Sequence, residues 1–289
     1  MTGLIKKDIL VVYKKSTYQG SGKKSKESIE QYKQNHEFHR DTIKRLRKLL
    51  KGASFIFRAN LSKDMVDQYR LIIPVGGDGT VLDASHFSLH TPILAVNSTC
   101  GASMQSVGFF CGATRLNLEE AVDKLFNDEL KAYELNRIQV ELNNKKISPP
   151  VLNEVYLSDR EPPAMARFKT ILGDAEDNSR GFGILVSTAA GSTSAIKSAG
   201  GKMMPIESKK LQYLVLAPQQ NNLYMPKLSK GIFDGPIEFI SNLNSGRLSM
   251  DGKYIRQWLG MDDRIKIYNS KFPLTVYNLD IESRKKNYG

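Results

Sequence analysis

The sequence predicts an α/β protein in two parts. The first, residues 1–130, is an α/β domain with a doubly wound, mostly parallel sheet, and the second, residues 131–272, is a C-terminal antiparallel β-sandwich domain. Three observations carry that expectation. Short apolar runs alternate with helix-like stretches through the first part, whereas beyond about Leu130 such runs follow one another with only short turns between. One early run also ends in Gly76-Gly77-Asp78-Gly79-Thr80 and passes straight into a helix-like segment. Residues 273–289 form a closing segment whose strand-like Leu274–Leu279 could return to the first domain.

Along the chain, Asp8–Tyr13 reads as a buried strand, followed by a Gly/Ser/Lys loop and a long, largely polar amphipathic helix over Ser25–Leu50. Ser54–Phe57, Leu71–Val75 and Pro92–Val96 are the next strands. Asn117-Leu118-Glu119-Glu120 predicts a capped helix start, with Glu120 placed to complete a capping box. Strands separated by helices argue for a parallel sheet that meets ligands at its carboxyl edge. In the second part Tyr133–Leu142, Val151–Leu157, Arg167–Leu172, Gly183–Val186 and Leu211–Leu216 read as strands, and Arg247–Ile255 as a tight hairpin through Asp251-Gly252. No internal repeat or low-complexity segment interrupts them.

At 289 residues and 40% hydrophobic composition the chain can fill two domain cores. Its formal net charge of +12 fits nucleic acid, an anionic membrane surface or a polyanionic small substrate. The basic residues are densest at Lys23-Lys24-Ser25-Lys26 and Lys44-Arg45-Leu46-Arg47-Lys48, and neither cluster is interleaved with aromatic stacking residues. Solvated surface is the better reading of both, so no nucleic-acid partner is expected. Cys100 and Cys111 are too few for a disulfide scaffold. No apolar run approaches the ~20 residues of a membrane span, and Ile9–Tyr13 is too short for a signal-peptide core. The expected setting is cytoplasmic, without a membrane partner.

The glycine turn carries the chemistry. Without a Cβ the backbone can turn sharply and approach an anion, and the free N–H groups of a helix start point toward it. Gly76, Gly77, Gly79 and Thr80 therefore read as a phosphate-facing turn, and Asp78 as a carboxylate able to take a proton from a hydroxyl: a kinase arrangement. By itself the turn fits dinucleotide kinases, lipid kinases and phosphofructokinases, or an ordinary strand-to-helix connection. Gly20-Ser21-Gly22-Lys23-Lys24-Ser25 resembles a Walker A loop, but Thr17 stands where its first glycine belongs and Lys24 where the magnesium-binding hydroxyl belongs. It reads as a basic loop able to attract ATP. Asn153-Glu154 opens a strand and could cap it or face solvent. Ser187-Thr188-Ala189-Ala190-Gly191-Ser192-Thr193 follows an apolar run and offers a backbone-rich nucleotide surface, or a helix start capped by Ser192 or Thr193.

In this order the pieces resemble the NAD kinase family, which phosphorylates the adenosine 2′-hydroxyl of NAD, and more narrowly its plant NADH-kinase branch with mitochondrial-type relatives. Further support comes from Arg58-Ala59-Asn60-Leu61, Ala84-Ser85-His86-Phe87, Val96-Asn97-Ser98, Arg167-Phe168 and Ser198-Ala199-Gly200-Gly201-Lys202-Met203-Met204-Pro205. The resemblance covers roughly residues 8–280. It implies that Asp78 is the catalytic carboxylate and that Asn153 and Glu154 bind the adenosine part of the acceptor. It also places Thr188, Gly191, Ser192, Thr193 and Ser198 in the nucleotide-binding segment. Phe109 matches an aromatic lining the acceptor site, and equally suits a core position. Also implied are ATP and NAD or NADH as substrates, Mg²⁺ arriving with ATP rather than at a dedicated protein metal site, and a homodimer or homotetramer formed through the β domain. Some relatives accept inorganic polyphosphate as donor.

The chain departs from the family at three places. Most members carry aspartate and tyrosine where this sequence has Phe182 and Ala195, and a Pro-His-Ser stretch where it has Ala217-Pro218-Gln219-Gln220-Asn221-Asn222. Losing a carboxylate removes a partner for the positively charged oxidised nicotinamide, while an aromatic tolerates the neutral reduced ring. NADH is therefore expected to serve at least as well as NAD. The competing readings are a dinucleotide sensor without catalysis, a nucleic-acid-binding protein, and a lipid kinase sharing the glycine turn.

Overall fold

The computed structural model describes residues 3–15, 26–102, 106–161, 164–220, 225–252 and 255–288. The Gly20–Ser25 loop, Asn221 and Asn222 lie outside the described residues. The chain divides into two compact units, Met1–Glu134 with Leu274–Asn287 and Leu135–Pro273 with Tyr288–Gly289.

In the first unit β1 (Ile9–Tyr13), β2 (Ser54–Phe57), β3 (Leu71–Gly76), β4 (Ala95–Asn97) and β5 (Cys111–Thr114) form one sheet in the order β2-β1-β3-β4-β5. Every neighbouring pair is parallel. Parallel sheets are covered on both faces, which is why β3 is buried along its whole length and β1 up to Tyr13. The helices are α1 (Lys26–Leu49), α2 (Lys63–Val66), α3 (Asp78–Phe87) and α4 (Leu118–Phe126). Leu118, Ala121, Val122 and Leu125 repeat at helical spacing along one face of α4 and join Leu46, Leu50, Ile9, Val11, Leu71 and Ile73 in one core. The strand order reverses between β1 and β3. Their carboxyl ends therefore flank the crevice at which such sheets bind ligands, and the glycine turn leaves β3 there.

One expectation for this unit changes, and one strand was not expected. The capping box at Asn117 is not made: its Oδ1 accepts from Thr114 N–H at 2.7 Å and from Thr114 Oγ1 at 2.9 Å, and Glu120 pairs with Lys124 at 2.6 Å one turn on. Strand β5 carries no apolar signal because Gly112 sits in it. A Cβ there would run into the Tyr277 carbonyl, and Asn278 Nδ2 donates to Gly112 O at 2.6 Å.

Beyond α4 lie β6 (Ala132–Leu135), β7 (Ile138–Leu142), β8 (Lys145–Lys146), β9 (Glu154–Asp159), β10 (Ala166–Leu172), β11 (Ala175–Gly181) and β12 (Gly183–Ser187). A short helix α5 (Ala195–Ser198) precedes β13 (Leu211–Leu216), β14 (Lys230–Phe233), β15 (Ile237–Ser241), β16 (Gly246–Met250), β17 (Ile255–Leu259) and β18 (Arg264–Asn269). The last strand, β19 (Leu274–Tyr277), pairs with β6, and helix α6 (Ile281–Tyr288) closes the described chain.

The second unit holds two six-stranded sheets, ordered β11-β10-β15-β18-β7-β8 and β14-β13-β12-β9-β16-β17. Their pairs are antiparallel. Alternate residues of each strand point inward, so Val155, Leu157, Ile184 and Val186 from one sheet meet Val140, Phe168, Phe239 and Ile267 from the other in a single core. This is the antiparallel sandwich expected. The predicted Tyr133–Leu142 strand is two strands, broken where buried Arg137 turns away to donate from Nε to the Phe272 carbonyl at 2.6 Å. The tight hairpin at Asp251-Gly252 is a longer connection, with Met250 opposite Ile255.

Candidate active site

The glycine turn shows why its residues are small. A Cβ on Gly76 would collide with the Thr80 side chain, and one on Gly77 with Ser106. Among the described residues nothing lies within 4 Å of where a Cβ on Gly79 would stand, which leaves room there for a ligand. Gly77 occupies the N-cap of α3, and Asp78 is the first residue of the helix.

Asp78 Oδ1 accepts from Phe110 N–H at 2.9 Å and Oδ2 from Gly108 N–H at 3.1 Å. The carboxylate is thus held in one orientation by a loop, with lone pairs left over for a hydroxyl proton. Burial raises its pKa above the ordinary carboxylate value, against the lowering effect of those backbone donors. A carboxylate both oriented and made more basic suits proton abstraction. The same loop brings in Phe109, half-buried beside the core residue Phe110, with ring centroids 4.8 Å apart and planes at 83°. The Arg284 guanidinium lies 4.5 Å over the Phe109 ring. Phe109 is therefore at the edge of the turn, not in the core.

Helix α1 supports this edge through His39, which is 2% exposed. Its Nε2 donates to the Lys14 carbonyl at 2.8 Å, which leaves Nδ1 to accept from Ser98 Oγ at 2.8 Å. Ser98 N–H in turn donates to Gly76 O at 3.0 Å. Burial lowers the pKa of His39 to about 4, so it works here as a neutral strut between the ends of β1 and β4.

The second unit gathers the other candidates at the start of β9. Asp251, 1% exposed with φ 47°, accepts at Oδ1 from Asn153 N–H at 2.7 Å and at Oδ2 from Leu152 N–H at 2.9 Å. That fixes the backbone of Asn153 and Glu154. Thr188 Oγ1 donates to the Leu152 carbonyl at 2.6 Å and accepts from Gly191 N–H at 3.0 Å. Ser192 Oγ donates to Ala189 O at 2.8 Å and accepts from Met204 N–H at 2.9 Å. Thr188 and Ser192 are thus buried and engaged inside the turn, where they position backbone. Gly191 packs so tightly that a Cβ would lie 2.6 Å from the Asn153 carbonyl carbon. Asn153 Oδ1 is buried without a partner among the described residues, an acceptor left open for an incoming donor.

Glu154, Ser198, Tyr156, Leu185, Ala195, Leu216, Arg247 and Arg256 line a cavity of about 550 Å³ on the outer face of the β9-containing sheet. Its floor is apolar and its polar groups few, as in small-molecule sites. Ser194 Oγ donates to Glu154 Oε2, and burial pushes the Glu154 carboxyl up to about 7, with the Asp251 charge adding to the rise. Arg247 Nε is buried without a partner among the described residues. Thr193 is half-buried beside α5. Tyr156 donates to the Phe182 carbonyl at 2.7 Å, placing the exposed Phe182 next to the cavity.

The structure gives Asp251, Arg247 and His39 places that sequence reading missed. Asp251 read as a turn residue, and only its burial reveals the three-residue backbone it holds. Arg247 alternates with core residues in β16 and carried no motif. His39 sits in a polar helix whose partners are 25 and 59 residues away.

The ATP-NAD kinase N-terminal domain model matches residues 3–130. A probable NADH kinase of Oryza sativa subsp. japonica is 35% identical over 202 residues, spanning 62% of this chain and 62% of its own length. The chain thus spans less than two thirds of that relative. An NAD kinase of Clostridium kluyveri is 30% identical over 242 residues, covering 80% of this chain and 81% of the relative. Yeast NADH kinase in complex with NADH shares the fold, with a TM-score of 0.74 at 17% identity over 96% of this chain and 86% of that one. The domain model takes in the sheet that carries the glycine turn, and the Clostridium match runs across four fifths of the chain: the protein belongs to the NAD kinase family.

Proposed function

We propose that this chain transfers the γ-phosphate of ATP to the adenosine 2′-hydroxyl of NAD or NADH, with Asp78 as general base. The observation that carries the reading is the Asp78 carboxylate, oriented by two backbone N–H groups and made more basic by burial at the start of α3. In the reaction the acceptor O–H bond breaks and its proton passes to Asp78. The 2′-oxygen forms a new bond to phosphorus, and the bond between the γ-phosphorus and its bridging oxygen breaks to release ADP. Positioning and charge neutralisation supply most of the acceleration in such transfers. Asn153 and Glu154 hold the adenosine part, Asn153 through its open Oδ1 and Glu154 through its carboxylate. Mg²⁺ enters with ATP as part of the donor and offsets phosphate charge. Among the described residues no group of three or more His, Cys, Asp or Glu is arranged to hold a metal ion.

NADH serves at least as well as NAD in this reading, because the residue beside the cavity is Phe182 and not a carboxylate. The homodimer or homotetramer is supported by exposed Phe182, Ile232, Trp258 and Met261, all in the second unit. A cytoplasmic setting belongs to the same reading, and among the described residues no helix is long and apolar enough to cross a membrane. Mass analysis of products formed from Mg-ATP with each dinucleotide tests the function. A 2′-phosphorylated product from either acceptor supports it; dinucleotide binding without product favours the sensor, for which the altered positions Phe182 and Ala195 speak.

A further inference from the structure

Lys14 directly follows β1, at the carboxyl edge where the sheet order turns back between β1 and β3. Its Cε lies 3.5 Å from the point a Cβ on Gly76 would occupy, so the side chain runs across the glycine turn. Its neighbour Lys15 is exposed, with Nζ 5.2 Å from the Phe57 ring centroid. The Lys14 carbonyl is pinned by His39. Burial, and then the charge of Arg58, hold the Lys14 ammonium below the usual lysine pKa. No carboxylate among the described residues pairs with it, and Asp83 is engaged by Arg58 at 2.6 Å. A half-buried cation facing a second cation lacks the counter-charge that such groups ordinarily keep.

Across the same turn Thr80 is 1% exposed, and its Oγ1, buried without a partner among the described residues, is the atom nearest that same Gly76 position. An uncompensated ammonium, an unmatched hydroxyl and the first N–H groups of the ten-residue helix α3 therefore surround Gly76. All three favour a phosphate, which brings negative charge and several acceptor oxygens.

We propose that Lys14 binds the terminal phosphates of the donor, with Thr80 Oγ1 donating to the same group and Arg58 adding positive charge behind it. The proposal rests on the kinase reading of this turn and names the protein cation that reading lacks. Lys14 neutralises charge on the donor as the bond to the leaving group lengthens.

Isothermal titration of inorganic tripolyphosphate into the wild type, Lys14→Met and Lys14→Arg tests it, alongside steady-state kinetics with ATP and dinucleotide varied in turn. Lys14→Met is expected to weaken tripolyphosphate binding at least tenfold and raise the KM for ATP by a similar factor, with the KM for dinucleotide within twofold. Lys14→Arg is expected to recover most of both losses, which a merely structural lysine would not show. Tripolyphosphate affinity within twofold of wild type in a folded Lys14→Met protein overturns the proposal, as does wild-type protein that binds no tripolyphosphate. If Lys14→Met does not fold, Lys14→Gln reads the same constants. Wild-type protein that binds tripolyphosphate through Lys14 yet phosphorylates no dinucleotide sinks the kinase reading and leaves the anion site standing.

Discussion

Glu154 is poised between two charge states at neutral pH. Its carboxyl is raised to about 7 mainly because burial disfavours the anion. In the proposed role the ionised form is the one that accepts from the adenosine part, so the KM for dinucleotide should fall as pH rises from 6 to 8. In Glu154→Gln that dependence should disappear, as initial-rate measurements across the range would show; a wild-type KM flat over those two units would contradict the assigned role. Phe182 makes a separate claim. Restoring a carboxylate with Phe182→Asp should raise the NAD:NADH ratio of kcat/KM severalfold, and an unchanged ratio would remove Phe182 from acceptor choice. Asp78, the proposed general base, stood out in the sequence because glycines flank it where an apolar run passes into a helix-like segment. Asp251 was not, since its three N–H donors at Leu152, Asn153 and Glu154 lie 97 to 99 residues away in the chain.

Elements, rather than single residues, decide how firmly the site is held. The Thr188–Thr193 turn lies against the Asn153 backbone through Gly191, with hypothetical Cβ contacts of 2.6 and 2.7 Å to Asn153 carbonyl carbon and Cα. Gly191→Ala must push that backbone aside, at a cost of about 1–3 kcal/mol as in other overpacked sites. The expected outcome is a thermal midpoint lowered by several degrees together with weaker dinucleotide binding; an unchanged midpoint would mean that the turn can move freely. Apolar strands such as β1, β3, β12 and β13 announced themselves, because burial on the core side demands apolar residues there. Strand β11 did not. Its sequence Ala-Glu-Asp-Asn-Ser-Arg-Gly is polar, and it stands at a sheet edge held by pairing with β10. The capping box failed for a similar reason: the Asn117 side chain found a closer partner behind it in Thr114, which no local pattern reveals.

Over the whole molecule two buried groups set opposite pH dependences of stability. His39 is lowered from 6.5 to about 4, so between those values the unfolded chain binds the proton more tightly and stability falls as pH drops. Glu154 is raised from 4.5 to about 7, so between those values the folded chain binds the proton more tightly and stability falls as pH rises. Each effect is at most about 3–4 kcal/mol across its window, at about 1.4 kcal/mol per unit, and in the overlap from about pH 4.5 to 6.5 they largely cancel. Denaturant titrations should therefore show Glu154→Gln gaining stability with pH across that overlap and His39→Gln losing it; parallel curves for the two variants would contradict the assignment.

Family membership and the sandwich say which chemistry to look for, and the proposed function places it at Asp78. The most direct test compares turnover by wild type and Asp78→Asn at saturating Mg-ATP with NAD or NADH, beside dinucleotide affinity measured separately. The amide sets an NH₂ group against one of the loop N–H donors, so a modest loss of stability is expected, with the protein still folded at the assay temperature. Turnover should fall by about 10²-fold or more, the usual contribution of a positioned general base, while dinucleotide affinity stays within a few-fold. Near-normal turnover in Asp78→Asn would contradict the account.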